Sequence, residues 1–447
     1  MSKIIIVFDL GPGDGGKGGV VHKLSSHHQA HTIIKVGGAQ GSHGVSTGRQ
    51  EFAFSQWGCG TFEGVPTYIS KRMVVSPEGL LNEADGLRYC GVSNAFDMLA
   101  IDERAICSTA YHGIISRIKE LARGDNPRGT IGSGVGEAYR DSLSNPELTI
   151  YAGDLKGDLR HKLSNIRDFQ ISKLLNYSYL TGVSGFLDED YDIVAEEIDL
   201  LKDDVFLDFN VSRFLEAGRL SKVVDSGYLY REVLSGDGVA VVESSHGVLT
   251  DNVCGFKPHV SAIRTLPIFT EEMLRDAGFC GEIERVGVHR AYTIRHGAGP
   301  MPTVNSNMID KLLPGSHKDD NRYQGKVRVG PLDLVLLKYA VDVAGSVDKL
   351  AITWFDQIND IWYVCNNYSN TGSDFFDDNG CIIPFDDTSK LCGALFNCKP
   401  TIDKISVPVS REAKYELCDD ILSESLGVPV GLVSFGPTVK DVLIGDC

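Results

Sequence analysis

Lys3-Ile4-Ile5-Ile6-Val7-Phe8-Asp9-Leu10 runs directly into Gly11-Pro12-Gly13-Asp14-Gly15-Gly16-Lys17-Gly18-Gly19, and Val20 to Ser26 follows. The first stretch reads as a buried parallel strand, because an apolar run without alternation suits a strand covered on both faces. The glycines let backbone amides turn inward around an anion. Lys17 supplies a positive charge, and the helix predicted from Val20 adds its N-terminal dipole. The spacing fits G-x-x-x-x-G-K. Gly18, however, stands where a standard P-loop places the Ser or Thr that holds magnesium. Asp14 is the natural replacement as a metal ligand.

Thr32 to Val36 reads as a second strand, followed by Gly37-Gly38-Ala39-Gln40-Gly41-Ser42-His43-Gly44. Strand, loop, helix, strand is the opening of a βαβ unit. Neighbouring parallel strands would set the two glycine-rich loops side by side and let Asp14 and His43 face one reacting atom. A carboxylate and an imidazole suit general-base and general-acid work near neutral pH. His22, His27, His28 and His31 read as a solvated helix end.

Further apolar runs, Val239 to Val242, Lys349 to Thr353 and Val430 to Ser434, read as central strands. Helical periodicity appears at Ala110 to Ala122, Ile193 to Leu201 and Leu334 to Val343. The expected fold is one large α/β domain over 1–447, with a mainly parallel central sheet flanked by helices. A charged helical stretch near 156–235 is expected to be an inserted subdomain, and 366–390, rich in Asn and Asp, a surface loop or hairpin. Ligands should gather at the carboxyl ends of the strands.

Composition narrows the function. The 447 residues are 42% hydrophobic and 23% charged, ordinary for a globular chain. A net charge of -17, from 60 acidic against 43 basic residues, argues against a nucleic-acid partner. Eleven scattered cysteines without a C-x-x-C pair suggest reduced thiols and a cytoplasmic protein. No signal-peptide layout and no apolar run of membrane length are present.

The ordered segments resemble the adenylosuccinate synthetase family. Its first loop is of GDEGKGK type, against GDGGKGG at 13–19, and its GG-x-N-AGHT segment is matched by GGAQGSHG at 37–44. Gly129 to Gly136 resembles its nucleotide-phosphate loop and Glu243-Ser244-Ser245-His246-Gly247 its EGAQG segment. The run Arg290 to Thr303 is similar to KAYSTRVGAGPFPTE. Thr353-Trp354-Phe355-Asp356 and Ser434-Phe435-Gly436-Pro437 resemble the guanine-binding TKLD and STGP segments.

The resemblance implies a GTP-dependent ligase that joins L-aspartate to the 6-position of a purine nucleotide through a 6-phosphoryl intermediate. Asp14 and His43 would be the catalytic pair, with Mg2+ held by Asp14 and the Ser42 carbonyl. GTP would contact Gly13, Gly15, Gly16, Lys17, Gly18, Asp356, Ser434 and Gly436. The purine nucleotide would meet Gln40, Thr130, Ile131, His246, Ser261 and His296. Aspartate would meet Arg295, Thr303, Lys326 and Arg328. Trp354 stands where the family has Lys, as a base-stacking ring or plain core. The family also implies a homodimer.

Departures gather on the purine side. Gln40 replaces an Asn, Ile131 a Thr, His246 a Gln, His296 a Val and Gly15 a Glu. IMP stays the reference substrate that the resemblance implies, and these departures make GMP or dGMP an alternative, with ATP as an alternative donor. A nucleotide-binding paralogue without turnover, and a simple NTPase, are the rival classes. An NAD-type Rossmann enzyme is disfavoured, because the acidic ribose partner of a G-x-G-x-x-G loop is missing.

Overall fold

The computed structural model describes residues 2–124, 126–175, 186–313, 322–369, 374–377, 380–384 and 387–445. Its frame is a 12-stranded sheet. From one edge the main path runs Val442–Ile444, Val430–Ser434, Lys349–Thr353, Glu282–Arg290, β1 (Ser2–Asp9), Gly238–Gly247, β2 (Thr32–Gly38), β5 (Thr67–Val75), Leu99–Asp102 and Lys222–Val224. Every pairing along this path is parallel except the edge pair Val430–Ser434 with Val442–Ile444. The α/β expectation with a mainly parallel sheet is met.

β1 shows why its sequence is uniformly apolar. Ile4, Ile6 and Phe8 enter the hydrophobic cluster on one face of the sheet, and Ile5 and Val7 enter the cluster on the other. Alternate side chains point to opposite faces, so a strand covered twice needs both sets apolar. The helices Leu159–Leu175, Tyr191–Lys202 and Asp204–Leu220 place Leu163, Ile166, Leu201, Leu207 and Phe214 in the same cluster as Ile5 and Val7. The helical stretch therefore shares the sheet's core; residues 176–185 of it lie outside the described set.

Within 366–390, the described residues up to Ser369 end a strand, Ile361–Ser369, paired antiparallel with Lys399–Ser406. Residues 370–373, 378–379 and 385–386 lie outside the described set. No helix among the described residues is long and apolar enough to cross a membrane.

One spatial expectation is corrected. β1 and β2 are not neighbours, because Gly238–Gly247 lies between them and pairs with both. Sequence order suggested adjacency, but a strand 200 residues later inserts itself into the sheet. The segment Glu243 to Gly247 thereby sits between the two glycine loops.

Candidate active site

α1 (Lys17–His27) begins at Lys17, three residues before its apolar run, because Gly16 adopts a left-handed N-cap conformation at φ 90°. The first two glycines of α1 have different surroundings. A Cβ on Gly18 would lie 2.4 Å from the Gly44 carbonyl and 3.0 Å from the His43 carbonyl carbon, whereas one on Gly19 would meet nothing within 4 Å. The absence of a side chain at 18 lets the hairpin β3 (His43–Ser46) and β4 (Glu51–Phe54) rest on the helix. This contact, rather than strand adjacency, brings the second loop to the first.

His43 is 7% exposed, and its Nδ1 lies 2.5 Å from Glu243 Oε1. An ionised carboxylate only accepts, so Nδ1 carries the proton and Nε2 is left for a ligand. Burial lowers the imidazole's pKa, and Glu243 only partly restores it. Glu243 is fully buried. It also accepts from Lys35 Nζ at 2.7 Å and from the Cys59 amide at 2.8 Å. Burial alone would raise its pKa, but Lys35 and His43 outweigh that and hold it well below the carboxylate range.

Asp14 has φ 60°, and its side chain is 45% exposed. Its Oδ2 lies 3.3 Å from His296 Nε2, and its backbone carbonyl accepts from Arg290 Nε at 2.5 Å. His246 also has a positive φ, 64°. Burial, then Lys17 and His43, lowers its pKa to about 4, with Asp14 pulling the other way. His246 therefore stands within the electrostatic reach of Lys17, His43 and Asp14 together. Its ring meets the Gln40 carboxamide. Trp354 is a third non-glycine residue at positive φ, 59°. Such backbone is costly for a bulky residue, and clusters of it are typical of functional sites.

Lys17 lies elsewhere than a ligand-facing charge would. It is 3% exposed, and its Nζ donates to Asp9 Oδ2 at 3.0 Å. Asp9 also accepts from the amides of Gly11 at 2.7 Å and Gly15 at 2.6 Å.

On the proposed donor side, Thr353 Oγ1 donates to the Gly15 carbonyl at 2.6 Å and ties Lys349–Thr353 to the first loop. The Trp354 ring lies under the Arg290 guanidinium, 4.4 Å from its centroid. It thus braces the residue that holds the Asp14 carbonyl. Phe355 and Phe435 rings 5.9 Å apart join the turn bearing Asp356 to the loop bearing Ser434 and Gly436. Burial raises the Asp356 pKa. Ser434 Oγ donates to the Gly436 carbonyl at 2.8 Å.

Around the residues expected to meet nucleotide and aspartate, the helix Val135–Ser144 starts after Gly134 at φ 82°. Thr130 Oγ1 accepts the Gly132 amide at 3.3 Å, while Ile131 is 42% exposed. Ser261 Oγ accepts the Ile263 amide at 3.3 Å, and Ala262 beside it faces Gly136. Arg295 and Arg328 are directly opposite across the two-stranded pair Thr293–His296 and Val327–Gly330. Arg295 Nε is buried without a partner. Burial, with Arg328 next to it, lowers the Arg295 pKa to about 9. Arg328 donates to the carbonyls of Gly297 and Gly299. Among the described residues no carboxylate pairs with either arginine, which leaves two facing cations, Arg295 buried and Arg328 half-buried, suited to an anion. Thr303 is buried nearby in the same run, and Lys326 is exposed.

Asp9, Arg290 and the part played by Glu243 emerge only in the folded chain. An acid closing an apolar strand just before the glycine loop was the available signal for Asp9. His22 is also corrected: it is 1% exposed and bonds Glu63 at 3.0 Å, so it is not a solvated helix end.

The fold is a mainly parallel α/β sheet whose two glycine-rich loops, bearing Asp14 and His43, follow the carboxyl ends of β1 and β2. A sequence model described as adenylosuccinate synthetase matches residues 6–443. The chain belongs to the adenylosuccinate synthetase family, and is a carbon–nitrogen ligase. It is 26% identical over 455 residues to an adenylosuccinate synthetase of Parabacteroides distasonis, covering 99% of each chain. It is 28% identical over 353 residues to that of Clostridium beijerinckii, covering 77% of this chain and 76% of the relative.

Among solved structures, the fully ligated adenylosuccinate synthetase of Plasmodium falciparum superposes with a TM-score of 0.76 at 19% identity, over 99% of both chains. The succinoaminodeoxyadenylate synthetase of cyanophage S-2L, bound to dGMP and dATP as an energy donor, gives a TM-score of 0.59 at 14% identity. That match covers 99% of this chain and 95% of the phage chain. At those identities the likeness concerns the fold.

Proposed function

We propose that this chain uses GTP to phosphorylate the 6-oxygen of a purine nucleotide and then joins L-aspartate at that carbon, with Asp14 and His43 as the catalytic pair. The observation that carries the reading is the packing of the second loop on α1 at the Gly18–Gly44 contact, which sets His43, its Nδ1 fixed by Glu243, beside the loop that bears Asp14. An oxo group is a poor leaving group, and phosphorylation turns it into a good one. Asp14 takes the proton from the ring nitrogen beside the 6-carbon, which makes the 6-oxygen nucleophilic. His43, with Nδ1 fixed by Glu243, presents Nε2 to the transferring phosphate and stabilises its charge. The approaching phosphate favours the imidazolium that burial alone disfavours. The aspartate amine then displaces phosphate, while Arg295 and Arg328 hold the aspartate carboxylates, with Thr303 and Lys326 beside them.

The donor set offered by Asp14 and the Ser42 carbonyl is hard oxygen, which fits Mg2+. Asp9 is already committed to three donors, so Asp14 is the first loop's available carboxylate. Bound there, Mg2+ would neutralise charge on the phosphates. Asp356 would accept from the ring N–H and amino group of guanine, beside Ser434 and Gly436. Gly13 and Gly16 shape the loop for phosphate, and Gly18 seats the His43 hairpin beside it. Gln40, Thr130, Ile131, His246, Ser261 and His296 surround the purine nucleotide.

IMP is the reference substrate. GMP or dGMP is the second reading, favoured by the Gln40–His246 contact, which changes the purine shell where the family has Asn and Gln. We place the reaction in the cytoplasm, on a homodimer. The test is product analysis with aspartate, GTP or ATP, and each of IMP, GMP and dGMP. A succinylamino purine nucleotide is expected from one of them. Asp14→Asn and His43→Ala should abolish it while leaving the melting temperature near that of the parent. Full turnover in either variant overturns the assignment.

A further inference from the structure

The first loop encloses a buried ion pair that the proposed chemistry does not use. Asp9 ends β1 with a carboxylate that is 0% exposed, and Lys17 opens α1 with an ammonium-bearing side chain that is 3% exposed. One carboxylate oxygen takes the Gly11 amide; the other takes the Gly15 amide and Lys17 Nζ. These three donors come from the start of the loop, its far side and the first residue of the helix. The carboxylate thus fills the inside of the turn. A Cβ on Gly15 would lie 2.6 Å from Asp9 Oδ2, 3.0 Å from Asp9 Cγ and 3.2 Å from the Val288 carbonyl. Asp9 and a side chain at 15 therefore exclude one another.

We propose that Asp9 is the positioning residue of the phosphate loop, and that Lys17 acts as its brace rather than as a ligand of the nucleotide. Moving Lys17 to a phosphate would strand an ionised carboxylate in a dry site, with only two amides to hold it. Leaving Lys17 in place keeps the loop shaped, with Gly13, Gly16 and the helix N-terminus presenting amides to the anion. The inference rests on the nucleotide-binding part of the reading above, but not on the identity of the product.

The test is a double-mutant cycle read by titration with GTP and Mg2+, which needs no turnover. Asp9→Asn and Lys17→Met should each weaken GTP binding at least tenfold. The double variant removes both charges together and should recover to within about threefold of the parent. In turnover assays the same singles should raise KM for GTP more than they lower kcat. A double variant as weak as Lys17→Met would overturn the proposal, because Lys17 would then be needed at the phosphate itself. So would an Asp9→Asn variant that binds GTP like the parent. Should the single variants fail to fold, hydrogen exchange on the parent protein decides. The Gly11 and Gly15 amides should be protected without nucleotide and remain so with GDP. Unprotected amides in the free protein would overturn the proposal. Failure to form any succinylamino product would instead sink the ligase reading and leave this cycle interpretable.

Discussion

Replacing Gly18 with alanine adds one methyl group at the seam between α1 and the hairpin that carries His43. That methyl would sit 2.4 Å from the Gly44 carbonyl oxygen and 3.0 Å from the His43 carbonyl carbon. Ordinary contact starts near 3.4 Å, so helix and hairpin must separate. The gap needed is roughly 1 Å, a misplacement that costs on the order of 100-fold when a catalytic group has to meet a reacting atom. The neighbouring Gly19→Ala is the control, since its Cβ would meet nothing within 4 Å. Alanine favours a helix over glycine by up to ~1 kcal/mol. Gly19→Ala should therefore melt slightly higher and keep its kcat. Gly18→Ala should stay folded, its helix gain offset by the clash, yet lose about 100-fold in kcat. Steady-state kinetics with thermal melts on both variants make the comparison. A Gly18→Ala enzyme within threefold of the parent would refute the reasoning, since either the seam yields freely or His43 is not at the chemistry.

Glu243→Gln should lower kcat at least tenfold, because His43 loses the anion that fixes its Nδ1 proton; kinetics across pH would check this. The same change leaves Lys35 buried without its carboxylate, which should cost about 3–5 kcal/mol in denaturant unfolding. Arg328→Ala should raise KM for aspartate at least tenfold and leave KM for GTP unchanged, because Arg328 faces Arg295 across the strand pair; initial rates against each substrate separate the two. His246 gives a pH prediction. Its folded pKa of about 4 lies below the ordinary 6.5, so the unfolded chain takes up the proton first as the pH falls. Its contribution to stability is complete above 6.5 and declines from there towards 4. At about 1.4 kcal/mol per pH unit, up to ~2 kcal/mol should be lost between pH 7 and pH 5. His246→Gln should remove that part of the acid-side loss in parallel denaturation curves.

The amino-acid sequence alone determined the local units. The apolar run of β1 marks a strand buried on both faces, and the glycines with Asp14 and Lys17 mark a phosphate loop. Lys349–Thr353 and Val430–Ser434 were legible as strands because each is a short apolar run with its own boundaries. The ordered motifs from 13 to 437 made the family legible too, along with the residues expected to meet each substrate.

Partnerships were decided only in three dimensions. The insertion of Gly238–Gly247 between β1 and β2 follows from sheet pairing, which no local periodicity encodes. His43 meets Glu243 across 200 positions of sequence, and Lys35 meets it across 208. Lys17 reads as a phosphate ligand by spacing, but folding brings Asp9 within 3.0 Å, and burial makes that pair cheaper to keep than to break. Spacing along the chain specifies which side chains a loop offers; which of them remain available depends on the distant groups that folding brings against them.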